Sequence, residues 1–223
     1  MRIKILLMVF LLLSNFYCSK NDNEKIENTN QEITNELSFY TKKENSKILI
    51  LNDNAVKLLQ DSEKVKNMPT VRDSLLNVAL LYLNKAIMID STFYNAFLNK
   101  STVLMKLGEY EKAVECLEKI LSYKNIPEAY FIIGLIYEKI GKNEQAKVNY
   151  RKALNLYDNY INSPLSTARD KLNREYVLLL LEGKEKLLKR INKQLEKDPD
   201  NPTLLFNKSI ILEFNRKTFI NSL

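Results

Sequence analysis

The chain contains no histidine, and in 223 residues it has only two cysteines, four glycines and five prolines. Each shortage removes a class of answer. Without histidine there is no imidazole base, no imidazole metal ligand and no Ser-His or Cys-His arrangement. Cys18 and Cys116 are too few for a zinc site or a disulfide framework. Gly108, Gly134, Gly141 and Gly183 lack the spacing of a dinucleotide or phosphate-binding loop. Glycine and proline together fall far below their usual ~12% share, which excludes collagen, low-complexity coil and turn-rich all-β folds. Carboxylate pairs such as Glu115 and Glu118 sit on ordinary charged helix faces. No catalytic residue, cofactor or metal site is therefore expected. The net charge of +7 favours anionic surroundings only mildly, and no dense basic run with interleaved aromatics points to nucleic acid. What the chain does have is an apolar fraction of 45%, enough to build a sizeable core.

Arg2 and Lys4 precede an apolar run from Ile5 to Leu13, and Cys18 follows shortly after. A charged start with a short apolar stretch describes a secretory leader, too short for a bilayer span of ~20 residues. A cysteine at this place, continued by Ser19-Lys20-Asn21-Asp22, resembles the lipidation site of bacterial lipoproteins. Asn15 and Tyr17 stand where that family's box carries leucine and a small residue. The resemblance implies a leader over 1–18, diacylglycerol on the Cys18 thiol, and a lipid-anchored protein of a bacterial cell envelope, in the outer membrane. Residues 19–45 are rich in Asn, Glu and Lys and poor in apolar side chains, which predicts a disordered tether reaching ~30 Å.

From residue 46 to the end the sequence repeats itself. Residues 95–121 and 128–154 align at an offset of 33, with Gly108 on Gly141, Ala113 on Ala146, Leu117 on Tyr150 and Leu121 on Leu154. Tyr130, Ile133, Gly134 and Tyr137 make one helical face, and Ala146, Tyr150 and Ala153 make the next. This pattern resembles the tetratricopeptide repeat, a helix-turn-helix of 34 residues. Tyr130 stands at the family's large aromatic position, Ile133-Gly134 at its Leu-Gly pair, Ala146 at the small residue of the second helix, and Asp158 at its terminal proline. The resemblance implies an all-α fold, a right-handed α-solenoid of about four and a half helical hairpins. Its units are 46–91, 93–125, 127–160, 165–201 and a partial 202–223, forming one domain over 46–223. The first helix is expected near Lys47 to Gln60. The last is a lone helix from Thr203 to Asn215.

Repeats of this family bind peptides or helices in a concave groove lined by the first helix of each unit. By i, i+4, i+7 spacing the groove positions are Leu98, Thr102 and Met105, then Phe131, Leu135 and Glu138, then Phe206, Ile210 and Glu213. Leu98 and Phe131 stand where carboxylate-clamping relatives carry polar groups, so an apolar strip is expected instead of a clamp. The apolar helix from Tyr130 to Ile140 either is buried on several sides or faces that groove. Lys186, Lys189, Arg190, Lys193 and Lys197 share one helix face, read as solvated, with attraction to anionic headgroups as the sharper alternative. Asn99-Lys100-Ser101 and Asn207-Lys208-Ser209 match glycosylation sequons, but their recurrence follows from the repeat. Cys116 is read as a small buried hydrophobe. Together these features predict a non-catalytic adaptor that binds an unidentified protein or peptide while anchored to a membrane through Cys18. The alternative is a self-associating envelope protein, a homo-oligomer built through an uncapped C-terminal half-repeat.

Overall fold

The computed structural model describes residues 31–223 with the exception of Leu165. Every regular element among the described residues is a helix. In chain order they are α1 (Gln31–Lys64), α2 (Pro69–Ile89), α3 (Tyr94–Lys106), α4 (Tyr110–Leu121), α5 (Pro127–Lys139), α6 (Asn143–Tyr160), α7 (Ala168–Glu182), α8 (Lys184–Leu195), α9 (Pro202–Glu213) and α10 (Arg216–Asn221). The fold class is all-α, with helices packed in consecutive pairs.

Local chemistry sets the helix ends. Pro69, Pro127 and Pro202 open α2, α5 and α9, where the missing N–H costs nothing and the fixed φ already suits a helix. Thr167 and Asp170 form a reciprocal capping box on α7, while Asn201 and Asn215 cap α9 and α10. Gly108 and Gly141 lie at φ 78° and 80°, in the left-handed region that glycine enters without steric cost. At the first, Glu109 N donates to Leu104 O and Gly108 N to Met105 O; at the second, Lys142 N donates to Tyr137 O and Gly141 N to Glu138 O. Both turns are thus the same glycine-closed helix end, repeated at the sequence offset.

The described residues divide into two compact units that part within α4, one running to Cys116 and the other starting at Leu117. In the first unit α1 packs on α2, α2 on α3, and α1 also on α3. Its core includes Leu59, Leu76, Leu83, Leu98 and Val103, and the buried Asn99 donates its Nδ2 to Asn52 Oδ1 at 2.8 Å. In the second unit α5 packs on α6, α6 on α7, α7 on α8 and α8 on α9. α10 then returns to lie against α5. One hydrophobic cluster runs through this unit from Phe131 and Leu135 through Tyr150, Tyr157 and Tyr176 to Phe219 and Ile220. Gly134 sits where α5 and α6 come closest. A Cβ there would lie 2.5 Å from two ring carbons of Tyr150 and 3.3 Å from Ala146 O.

Two expectations are corrected. Residues 31–45, expected as a disordered tether, are part of α1. The stretch has no glycine or proline, so a helix nucleated by the packed part extends into it at little cost. The C-terminal half-repeat, for its part, is not a lone helix. α10 follows α9, and Ile211 and Phe214 are buried. Cys18, the leader and the first part of the tether lie outside the described residues.

Candidate functional site

The nine residues assigned to the groove have different fates, Glu213 being exposed at the end of α9. Leu98, Thr102 and Met105 are buried on α3, where every residue from Ala96 to Met105 except Lys100 is buried. Thr102 Oγ1 turns back to Leu98 O at 3.1 Å, so even the hydroxyl is satisfied within the helix. This row is core and lines no open groove. Phe131 and Leu135 on α5 are buried as well, in the same cluster as the C-terminal Phe219 and Ile220. Phe206, on α9, is about half exposed, and Ile210 is partly buried. The spacing argument found the inward faces of α3 and α5. What it missed is that both faces are covered.

On α5 the covering is specific. Glu138 completes the row begun by Phe131 and Leu135, and its carboxylate is gripped from two sides. Arg216, the first residue of α10, donates Nε to Oε1 at 2.6 Å and Nη2 to Oε2 at 2.9 Å. This two-point geometry is the strong form of a carboxylate–guanidinium pair. Tyr150 adds its hydroxyl to Oε2 at 2.9 Å. Burial, then the charge of Glu138 and the hydrogen bond to it, hold the Tyr150 phenol protonated well above its ordinary range. Arg216 Nη1 also donates to Leu180 O at 2.6 Å, so the guanidinium joins α5, α7 and α10.

The next residue of α5 acts on the other end of α10. Lys139 Nζ donates to Ile220 O at 3.0 Å and Asn221 O at 3.1 Å. A cation on the last carbonyls of a helix meets the negative end of its dipole. Partial desolvation lowers the Lys139 pKa. Between these two polar contacts the Tyr176 ring stacks on Phe219 at 5.5 Å, and Phe214 tilts against Phe219 at 5.3 Å. The spacing argument had selected Glu138, but Lys139, Tyr176 and Arg216 escaped it. The one available signal for α10 was Asn215 ahead of Thr218, whose backbone N–H it caps at 2.9 Å.

A second titratable cluster joins the starts of α5 and α7. Burial raises the Glu128 carboxyl to about 8, helped by a hydrogen bond to Asp170 and by its charge. Asp170 Oδ2 meanwhile accepts from Thr167 N and Thr167 Oγ1, each at 2.7 Å. Burial before all, with the neighbouring carboxyl adding to it, keeps Glu128 protonated at neutral pH. Tied to a helix cap, this pair couples pH to packing.

Elsewhere the lysine-rich face of α8 is exposed, with Lys186 and Arg190 3.6 Å and 3.4 Å from Glu182. Cys116 is buried with its Sγ 3.5 Å from Phe97 O, and Asn99 of the first sequon is buried outright. Among the described residues no group of three His, Cys, Asp or Glu side chains could hold a metal ion, and no helix is long and apolar enough to cross a membrane.

The family described as tetratricopeptide repeat matches residues 94–126 and 127–160. These are the hairpins α3–α4 and α5–α6, the two that share the glycine-closed turn. A TPR repeat-containing protein of Methanocaldococcus jannaschii is 37% identical over 89 residues, which is 40% of this chain. The match spans only 28% of that relative's length. Tetratricopeptide repeats are therefore found in this chain over residues 94–160, and repeats of this kind generally mediate binding to other proteins.

Proposed function

We propose that this chain is a protein-interaction adaptor that takes a short segment of a partner on the inner face of α5, while tethered to a bacterial cell envelope by lipid on Cys18. The observation that carries the binding site is α10 itself. A six-residue helix lies against α5, gripped at one end through Glu138 and at the other through Lys139. A groove that receives a helix by an apolar strip and two polar anchors is the helix-in-groove mode of recognition. The repeats at residues 94–160 support protein binding as the activity.

Crosslinking in living cells tests the site. A photoreactive lysine analogue at position 139 should capture a discrete partner protein, while the same analogue at position 189 on the outer face of α8 should not. Equal capture at both positions, or none at 139, would sink the assignment. The tether has its own test. Cys18→Ala should release the protein from membranes, and a variant that still sediments with them after a high-salt wash is held by something else.

One observation favours the second reading, self-association. Leu205, Phe206 and Leu212 on α9 are 46%, 49% and 52% exposed. Light scattering over a concentration series decides it: a monomer at high concentration removes this reading.

A further inference from the structure

The adaptor reading leaves α10 as an obstacle, because it occupies the site. The geometry points to a further role: we propose that the segment from Phe214 to the end of α10 is a tethered, displaceable occupant. On the same grounds, the partner segment it makes way for is a short helix carrying an arginine followed three and four residues later by an aromatic and an aliphatic side chain. This rests on the adaptor reading and specifies its ligand.

The site reads that segment by three independent features. Glu138, its side chain only 10% exposed, is paired at two points by Arg216. A nearly buried carboxylate left without its cation is costly, and an ammonium cannot reproduce the planar fork, so the position selects arginine. The ring of Tyr176 stacks on Phe219 with 18° between planes, which selects an aromatic three residues after the arginine. Ile220 beside it fills the cluster that contains Phe131 and Leu135. Lys139 then binds the two carbonyls at the end of the helix, which fixes polarity: the arginine end must meet Glu138 and the carbonyl end Lys139. A segment docked backwards would place its helix N–H groups against an ammonium.

The same contacts explain why the occupant can leave. Six residues are too few for a helix to hold itself, so α10 exists only while docked. Its link to α9 is Phe214 and Asn215 in extended conformation, a place where two torsions release the whole segment. The Arg216 side chain is 46% exposed, so salt and competing carboxylates reach the pair that anchors it. Because it is tethered, the segment competes at an effective concentration on the order of millimolar, which keeps weak, non-cognate peptides out.

The probe is a synthetic peptide with the sequence of residues 212–223, used with the full chain. Binding to the unaltered chain should be at least tenfold weaker than to a chain carrying Arg216→Ala and Phe219→Ala, whose own segment no longer competes. The same peptide with glutamate in place of its arginine should bind that variant at least tenfold more weakly. If the folded variant binds neither peptide, or both alike, the proposal fails. Should the double variant not fold, Arg216→Ala alone serves as host, and hydrogen exchange on the unaltered chain gives a readout needing no mutation. There the α10 amides should exchange at least tenfold faster than those of α5. Equal protection of α10 and α5 makes the segment permanent core and overturns the proposal. Neither result touches the crosslinking test at position 139, so failure of the displaceable segment and failure of the adaptor reading are told apart.

Discussion

The first helices of the two matched repeats, α3 and α5, correspond position by position at an offset of 33, yet they close their inner faces by different means. Leu98, Thr102, Met105 and Lys106 on α3 correspond to Phe131, Leu135, Glu138 and Lys139 on α5. On α3 the row ends in apolar Met105, and Lys106 reaches Glu63 of α1 at 2.6 Å. On α5 the row ends in Glu138, gripped by Arg216 of α10, and the matching Lys139 holds that helix's last carbonyls. One lysine position thus serves a carboxylate upstream in one unit and a helix end downstream in the other. Repeat register assigns the face, and the one or two residues at its end decide what covers it.

The largest effects should come from the rows themselves. Leu98→Ala and Phe131→Ala each truncate a buried side chain and should cost ~2–5 kcal/mol in chemical denaturation. If α3 is core and α5 is a covered binding face, the two differ in kind. Phe131→Ala should also speed exchange in α10, whereas Leu98→Ala should leave α10 unchanged. Matching exchange profiles would erase the distinction between the rows.

Next comes the close approach of α5 and α6. The register positions of Gly134 and Tyr150 hold Ser101 and Leu117 in the preceding repeat. Gly134→Ser forces a Cβ toward ring carbons 2.5 Å away and should cost ~1–3 kcal/mol. Adding Tyr150→Leu, which installs the other repeat's pair, should recover part of that loss. Complete recovery is not expected, because the Tyr150 bond to Glu138 goes with the ring. A double variant no more stable than Gly134→Ser would mean that the two hairpins do not obey one packing rule.

These comparisons also locate what the sequence made legible. Hairpin turns could be read because Gly108 and Gly141 do a job few other residues can, and Gly134 with Ala146 announced a close helix crossing. The inner face of α5 could be read from spacing, up to and including Glu138. Its occupant could not. Arg216 lies 78 residues from Glu138, α10 is too short for periodicity to register, and its apolar part is only Phe219 and Ile220. The tether boundary failed for a related reason: polar composition argues against burial and not against helix, and α1 already begins at Gln31.

A smaller effect is expected from Glu128, and it is visible only as a pH dependence. Its folded pKa of about 8 lies above the ordinary value of 4.5, so the folded state binds the extra proton between those limits. The stability this protonated carboxyl supports is full below pH 4.5 and is lost as the pH rises toward 8. Glu128→Gln keeps a neutral side chain at every pH. It should flatten this part of the stability profile and leave the variant more stable than the parent at pH 8. Denaturation midpoints measured across that window check it, and a parent profile that rises steadily to pH 8 with no flattening in the variant would refute the assignment. The second repeat alone has this device, since Glu128 corresponds to Asn95.

The smallest effect separates the two lysines. Lys106 and Glu63 are only 12% and 29% exposed, yet a single charge pair of this kind contributes ~1 kcal/mol or less. Lys139 has no carboxylate among its hydrogen-bond partners and acts on the end of a short helix, worth ~0.3–1 kcal/mol. Lys106→Met should therefore lower global stability slightly, by an amount that shrinks in high salt. Lys139→Met should barely move the global midpoint but should raise the exchange rate of the last amides of α10, since the helix it steadies is the least self-sufficient in the second unit. If both substitutions change only the midpoint, and equally, then the corresponding lysines do the same work and α10 is no more separable from its unit than α1 is from its own.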